Sequence, residues 1–168
     1  VAGEMSQTIC ASWSYGACDL AYKSIPELIT TMCFCRGAGC NYLLNITPTS
    51  TGKILDIQKA MIETLGKWIN INKKPFYEGM PTDIKGPGND FALKTPDGKI
   101  YIFAFDLYNS HPRVYTGLTE NISKIIWLDN EKEETFFQSE DNTLCMNLSP
   151  ANSGYHMIVR VAELTVNK

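Results

Sequence analysis

The stretch NYLLNI at residues 41–46 decides the fold of the first half of the chain. Its centre is apolar at consecutive positions, which is typical of a strand covered on both faces in a parallel sheet. The turn residues PTSTG follow at residues 48–52, and a helix is predicted beyond them, ending at about residue 70. Apolar side chains recur there at spacings of three and four: Ile54, Ile57, Met61, Leu65 and Trp68. The sequence therefore predicts a strand followed by an amphipathic helix.

The residues before this strand predict the same order of elements. Residues 5–9 are a candidate strand, and a loop rich in aromatic and small side chains follows it. A helix is predicted to begin at Ser24, because Ser24 and Glu27 have the spacing of a capping box. Gly37 and Gly39 are expected to end it. The order strand, helix, strand, helix predicts two consecutive βα units and a parallel sheet.

The second half of the chain has a different pattern. Residues 75–87 are rich in proline and glycine, so we interpret them as a linker or domain edge. Seven short candidate strands follow, at residues 91–95, 99–107, 113–118, 123–128, 135–138, 143–148 and 155–164. Their spacing predicts an antiparallel sandwich. The predicted fold class is therefore α/β plus all-β, with domains at residues 1–80 and 81–168.

Composition excludes several classes of function. The 168 residues are 44% hydrophobic and 20% charged, which is typical of a globular chain. A net charge of −3 without a basic stripe argues against a nucleic-acid partner. The most apolar runs, such as YIFAFDLY at residues 101–108, are shorter than the roughly 18 residues of a membrane span, so no membrane partner is expected. The sequence contains no phosphate-binding glycine motif, so a nucleotide ligand is not expected.

The chain is expected to be part of something larger. It opens on Val1, and the segment VAGEMSQ does not have the pattern of a signal peptide, so we expect a chain that is processed, excised or built only in part. Two βα units cannot close a (β/α)8 barrel, which takes about 250 residues. An open two-stranded parallel sheet would also leave edges and faces uncovered.

The six cysteines are predicted to be free, buried thiols. Three of them form the grouping C-x-C-x4-C at residues 33–40, which has neither the C-x2-C pairing nor the nearby histidine of a structural zinc site. Three N-x-S/T sequons begin at Asn45, Asn121 and Asn147. These would carry glycans only in a eukaryotic secretory route and only where exposed, and chance occurrence is the preferred interpretation for Asn45.

Three segments resemble the C-terminal part of the α-L-fucosidases of glycoside hydrolase family 29. They are EMSQTICASWSY at residues 4–15, NYLLNITPTSTGKI at residues 41–54 and LGKWININKKPFYE at residues 65–78. The family shows an acidic residue followed by W-G-Y, then G-G-N-x-L-L-N-I-x-P, then G-x-W-L-x-x-N-G-E-x-I-Y. Ser14 and Cys40 stand where the first and second motifs have glycine, and KKPF replaces N-G-E-x-I in the third. The resemblance implies the last βα units of a (β/α)8 barrel followed by a C-terminal antiparallel β-sandwich.

The resemblance also implies a reaction and its partners. It implies retaining hydrolysis of terminal α-L-fucosyl residues of glycans, without metal or cofactor. The nucleophilic aspartate of the family lies on earlier barrel strands, so this chain alone is expected to be inactive. The implied partners are a fucosylated glycan and the rest of the barrel, on upstream residues or on another chain, with a homo-oligomer as a further possibility. A secreted, periplasmic or lysosomal location is favoured over a cytoplasmic one.

Two residues are the candidates for the site. A retaining glycosidase uses two carboxyl groups about 5 to 5.5 Å apart, and the resemblance implies that Glu4 is the acid/base. Such an acid needs a raised pKa, and the alternative is a solvated carboxylate at a frayed terminus. Trp13 would bind substrate by packing against the apolar face of fucose, with a core or interface tryptophan as the alternative. Asn45 could bind a loop or a ligand, and a buried amide bonded to backbone is preferred.

Two other functions stay open from the sequence. The chain could be a non-catalytic carbohydrate-binding or scaffolding fragment that binds glycan through exposed aromatic side chains such as Tyr108, Tyr115 or Trp127. It could also be a subunit that completes a barrel in trans and contributes Glu4 to a nucleophile on another chain.

Overall fold

The computed structural model describes residues 3–108, 111–149 and 158–167. The chain divides into two compact units, Val1–Asn70 and Ile71–Lys168. The domain boundary after residue 80 stays a prediction. Within the described residues, no helix is both long enough and apolar enough to cross a membrane.

The first unit alternates strands and helices, as predicted. It contains β1 (Glu4–Thr8), α1 (Ile25–Gly37), β2 (Asn41–Asn45) and α2 (Asp56–Ile71). The two strands pair in parallel along their whole length, from Glu4 opposite Asn41 to Thr8 opposite Asn45. The predicted βα order and the parallel pairing are therefore confirmed.

Local signals set both ends of α1. The Ser24 hydroxyl accepts a hydrogen bond from the Glu27 amide at 3.2 Å, which confirms the predicted N-terminus. At the other end, Gly39 has a φ of 70°, a conformation that glycine adopts without strain. The Gly39 amide donates to the Arg36 carbonyl, and the Cys40 amide donates to the Cys35 carbonyl. This pair of bonds is a Schellman motif, and it satisfies carbonyls that the helix end would leave unpaired.

The β1–β2 sheet has different surroundings on its two faces. On one face, the Cys35 thiol of α1 reaches Met5, and the Tyr42 hydroxyl donates to Gln7. On the other face, the Leu43 side chain is 44% exposed. The prediction that β2 is covered on both faces is therefore wrong for the part of the chain that the structure describes, because α1 packs on one face only.

The second unit begins with elements that the sequence analysis missed. Residues 75–87 are not a linker, because they contribute to α3 (Lys73–Glu78) and to β3 (Met80–Lys85). Pro75 lies in the first turn of α3, where proline removes no helical hydrogen bond. Pro81 lies in β3 at the edge of its sheet, where a missing amide donor is tolerated. The linker interpretation is therefore wrong, because it counted prolines without considering their positions.

The remaining strands confirm the seven predicted ones, with bounds that differ by a few residues. They are β4 (Phe91–Lys94), β5 (Ile100–Ala104), β6 (Arg113–Tyr115), β7 (Ile122–Trp127), β8 (Phe136–Gln138), β9 (Leu144–Met146) and β10 (Arg160–Val166). The first three residues of the last predicted strand, 155–157, lie outside the described residues. The strands form two antiparallel sheets, in the orders β3-β4-β5-β10-β7 and β6-β9-β8.

The two antiparallel sheets share one hydrophobic core. Its buried cluster takes Ile102 and Ile125 from the larger sheet and Leu144 and Met146 from the smaller one. Trp127 is completely buried in this cluster, and the Arg160 guanidinium lies 4.0 Å from its ring centroid. Because this cation also pairs with Asp129 at 2.9 Å, its charge is compensated inside the core.

Candidate functional site

Trp13 lies on the loop that follows β1, at the carboxyl edge of the β1–β2 sheet. Its side chain is 60% exposed. Asn45 lies at the end of β2, and its side-chain amide donates to the Trp13 backbone carbonyl at 2.9 Å. The Asn45 backbone carbonyl accepts a hydrogen bond from the Ile9 backbone amide at 2.9 Å. The preferred interpretation of Asn45 was a buried amide bonded to backbone; the backbone bond is confirmed, whereas Asn45 is half-buried. Asn45 thereby fastens the Trp13 loop to the neighbouring strand.

Two charged side chains hold the rest of this loop. The Asp19 carboxylate accepts hydrogen bonds from the Ser12 amide at 2.8 Å and the Ala21 amide at 3.3 Å. The bond from Ser12 is the main reason that the pKa of Asp19 lies below its ordinary value. At the base of the loop, the Lys23 ammonium donates to the Thr8 hydroxyl and to the Cys10 carbonyl, each at 3.3 Å. The loop is therefore constrained on both sides of Trp13.

A buried amide clamps the segment after β2. Gln58 of α2 is completely buried, and its side chain accepts from the Thr47 amide at 3.1 Å. It also donates to the Thr47 hydroxyl at 2.7 Å and to the Thr47 carbonyl at 3.4 Å. The Thr47 hydroxyl lies 3.6 Å from the Cys10 thiol at the end of the first strand. The segments that leave both strands are thus joined by buried polar contacts.

Sequence reasoning missed Gln58, although a signal was available. Gln58 follows Ile54 by four residues and precedes Met61 by three, so it lies on the stripe predicted to face the core. A polar residue on an apolar stripe indicates a buried group that needs hydrogen-bond partners. Asp19 carried no comparable signal, because acidic residues are common in loops.

Glu4 and Trp13 lie at opposite ends of β1. Glu4 is the first residue of the strand, exposed, and opposite Asn41. Thr8, the last residue, is about 13 Å away along the strand at ~3.3 Å per residue. The structure therefore brings Trp13 and Asn45 together, and it does not bring Glu4 to them.

The aromatic residues suggested for glycan binding in the second unit have different surroundings. Tyr115 and Trp127 are completely buried, so the prediction that they are exposed is wrong. The Trp127 ring nitrogen donates to Glu134 at 2.9 Å, and the Tyr115 hydroxyl donates to Asp90 at 2.7 Å. Both polar groups thus have partners that allow burial. Tyr108 is 98% exposed and is the one of the three that is available to a ligand.

A second polar cluster surrounds Asp90. Its carboxylate pairs with one terminal nitrogen of Arg113 at 2.7 and 2.8 Å and accepts from the Phe105 amide at 2.8 Å. The other terminal nitrogen of Arg113 donates to the Asp106 carbonyl at 2.9 Å. Burial, together with the Asp90 charge, raises the pKa of Tyr115. A cavity of about 230 Å³ adjoins the cluster, lined by Pro87, Gly88, Asp106, His111, Pro112 and Arg113.

This second cluster has a structural role. Both terminal nitrogens of Arg113 are bonded within the protein, so its charge is not offered to the cavity. Among the residues that the structure describes, no group of three or more histidine, cysteine or acidic side chains is placed to hold a metal ion. The carboxyl edge of β1–β2 is therefore the candidate site.

Comparison with known proteins shows which proteins this chain is similar to. Residues 3–74 match the family described as "Alpha-L-fucosidase". The chain is 27% identical over 143 residues to the tissue α-L-fucosidase of Macaca fascicularis, which covers 82% of this chain and 30% of that protein. It is 27% identical over 108 residues to the α-L-fucosidase of Dictyostelium discoideum, covering 62% of this chain and 23% of that protein. Both of these relatives are glycoside hydrolases.

Solved structures agree with the sequence matches. An α-L-fucosidase isoenzyme of Paenibacillus thiaminolyticus superposes with a TM-score of 0.84 at 21% identity, covering 100% of this chain and 40% of that one. An α-L-fucosidase of Bacteroides thetaiotaomicron superposes with a TM-score of 0.84 at 20% identity, and the match covers 99% of this chain and 38% of that one. At this identity, the likeness shows the fold. Together with the sequence matches, it confirms the predicted resemblance: the chain is a relative of the α-L-fucosidases and is similar to their C-terminal part.

Proposed function

We propose that this protein acts as part of a retaining α-L-fucosidase that hydrolyses terminal α-L-fucosyl residues of glycans. The chain spans 30% of the first curated relatives that it matches, so the remaining barrel strands and the nucleophilic aspartate come from outside it. In this proposal, β1–α1–β2–α2 supplies the last two βα units of a (β/α)8 barrel. The antiparallel second unit supplies a C-terminal β-sandwich.

The exposed Trp13 on its fastened loop is the observation that supports this proposal. Active sites of (β/α)8 barrels are built from loops at the carboxyl ends of the strands, and Trp13 lies on such a loop. A flat, exposed indole can pack on the apolar face and methyl group of a fucosyl ring. Asn45, Asp19 and Lys23 hold the loop before substrate arrives, so less conformational entropy is lost on binding.

Substitution of Trp13 tests the proposed substrate contact. In the intact protein, Trp13→Ala should raise KM for an aryl α-L-fucoside by about three- to tenfold, the range expected for a lost aromatic contact. Trp13→Phe should recover part of the loss. Tyr108→Ala is the matched control, because it removes an exposed aromatic from the second unit and should leave KM unchanged. If Tyr108→Ala weakens glycan binding while Trp13→Ala does not, the chain is a carbohydrate-binding fragment of the kind considered above.

The role of Glu4 as acid/base is a separate proposal that rests on the sequence resemblance. General-acid assistance matters for poor leaving groups and little for activated ones. Glu4→Gln in the intact protein should therefore lower kcat on a fucosyl glycan by about 100-fold or more, while largely sparing an activated aryl fucoside. Glu63→Gln on α2, also an exposed carboxylate, is the control and should change neither. Equal losses on both substrates would remove Glu4 from this role.

A further inference from the structure

The end of α1 brings two cysteines together. Cys35 and Cys40 occupy the two positions of the Schellman motif whose side chains commonly contact each other. Cys35 is buried and Cys40 is half-buried. Both are free thiols, as are the other four cysteines.

Backbone geometry limits how far apart these two residues can be. The Cys40 amide nitrogen lies 2.8 Å from the Cys35 carbonyl oxygen. Adding about 2.4 Å from that oxygen to its own Cα, and about 1.5 Å from the nitrogen to its Cα, gives a maximum Cα–Cα separation of about 6.7 Å. Disulfides form at Cα separations of about 4.4 to 6.8 Å. The separation of Cys35 and Cys40 therefore does not exceed the upper limit for a disulfide.

Both thiols lie on the same side of the chain around β1. The Cys35 sulfur lies 3.8 Å from the Met5 sulfur. The Cys40 sulfur lies against Gly3, where an added Cβ would come within 2.8 Å of it. Gly3 and Met5 are two residues apart in extended chain, so they share a face. The Cys40 thiol makes only a 3.8 Å contact with the Ala38 carbonyl, so both side chains hold only weak bonds that rotation about χ1 can exchange.

We propose that Cys35 and Cys40 form a reversible disulfide when the protein meets a peroxide. Cys40 is the more exposed thiol and reacts first. Its thiolate attacks one peroxide oxygen, the O–O bond breaks, hydroxide leaves, and Cys40 becomes a sulfenic acid. The Cys35 thiol then attacks the Cys40 sulfur, the S–S bond forms, and the S–O bond breaks with loss of water. Two thiols are oxidised, the peroxide is reduced to water, and an external dithiol reverses the change.

The environment of Cys35 fits the second, resolving step. Burial, followed by the nearness of Cys40, raises the pKa of the Cys35 thiol above its ordinary value. The raised pKa keeps Cys35 protonated, so it attacks peroxide slowly. The disulfide would join the end of α1 to the residue before β2, next to the two neighbours of Glu4.

Peptide mapping of the folded protein tests this proposal directly. The native protein is treated with hydrogen peroxide, blocked with iodoacetamide, and digested with trypsin without reduction. Cleavage after Lys23, Arg36 and Lys53 separates residues 24–36 from residues 37–53, so a disulfide shows as a linked pair of peptides. The expected result is this linked pair, a mass loss of two hydrogen atoms, and loss of two of the six thiols. Dithiothreitol should restore all six.

Matched variants assign the link. Peptide 24–36 also contains Cys33, so the link should persist in Cys33→Ala and disappear in Cys35→Ala and Cys40→Gly. Circular dichroism checks that each variant is folded, and the unsubstituted protein alone already decides whether peptides 24–36 and 37–53 link. A link that survives in Cys35→Ala would overturn the proposal. So would a folded protein in which Cys40 oxidises without any link, or one that links only after unfolding in urea.

Discussion

Replacement of Gln58 by leucine should destabilise the first unit by about 2–6 kcal/mol. Leucine has a similar volume, so the change mainly removes the side-chain amide that bonds to Thr47. It leaves the buried Thr47 amide without its acceptor and the Thr47 hydroxyl without its 2.7 Å donor. Each such orphaned group costs about 1–3 kcal/mol, and the Cys10 thiol near the hydroxyl reduces the cost only weakly.

A second substitution separates the two parts of this loss. Thr47→Val removes the hydroxyl while keeping the shape of the side chain, so it should cost about 1 kcal/mol less in the Gln58→Leu background than in the unsubstituted protein. The Thr47 backbone amide loses its acceptor both in Gln58→Leu and in the double variant, so this cost cancels in the comparison. The double-mutant cycle therefore isolates the bond between the Gln58 amide and the Thr47 hydroxyl.

Urea unfolding followed by far-ultraviolet circular dichroism measures the free energies of unfolding. Hydrogen exchange at the Thr47 amide gives an independent readout, because this amide donates to the Gln58 side chain. Exchange at this amide should speed up in Gln58→Leu by more than at amides of α1. A loss below about 0.5 kcal/mol with unchanged exchange at Thr47 would refute the reasoning, since it would mean that the clamp contributes nothing.

Two further predictions concern titration. The Lys74 ammonium at 2.5 Å, followed by the Thr95 hydroxyl, lowers the pKa of Asp97 to about 2. Any stabilisation from this ionised carboxyl is present at neutral pH and is lost as the pH falls from about 4 towards about 2. NMR titration should find the pKa of Asp97 raised in Lys74→Met and unchanged in the exposed control Lys59→Met. Burial raises the pKa of Tyr42 to about 12. The stabilisation from the protonated hydroxyl is present below pH 10 and declines as the pH rises through about 12. Ultraviolet titration of Tyr42→Phe should lack one late-titrating tyrosine, whereas an unchanged curve would contradict the burial argument.

Where a local rule decides the backbone, the sequence predicted the structure. The capping box at Ser24 and the glycine at residue 39 set the ends of α1, because both act through hydrogen bonds to nearby residues. The parallel pairing of β1 and β2 followed from the helix between them. Failures came where position within an element changes the meaning of a residue, as with Pro75 in a first helical turn and Pro81 on an edge strand.

The candidate site was predicted less completely, for a different physical reason. The location of Trp13 after a strand could be inferred from the chain order, and Asn45 from its place at the next strand end. The Gln58 clamp depends on how α2 rotates against the segment after β2, which periodicity fixes only approximately. Glu4 and Trp13 lie at opposite ends of β1, because an extended strand places its first and last residues far apart.

The open face of the β1–β2 sheet connects the fold to the proposed function. By register and alternation, Glu4 and Thr8 share this face with Leu43 and Asn45. Leu43 is 44% exposed there, and within the described residues each of the two strands pairs only with the other. In the proposed barrel, neighbouring strands would pair with both free edges, and this face would become the interior. Under that proposal, burial of Leu43 and access to Trp13 from the carboxyl end follow from the same closure of the barrel.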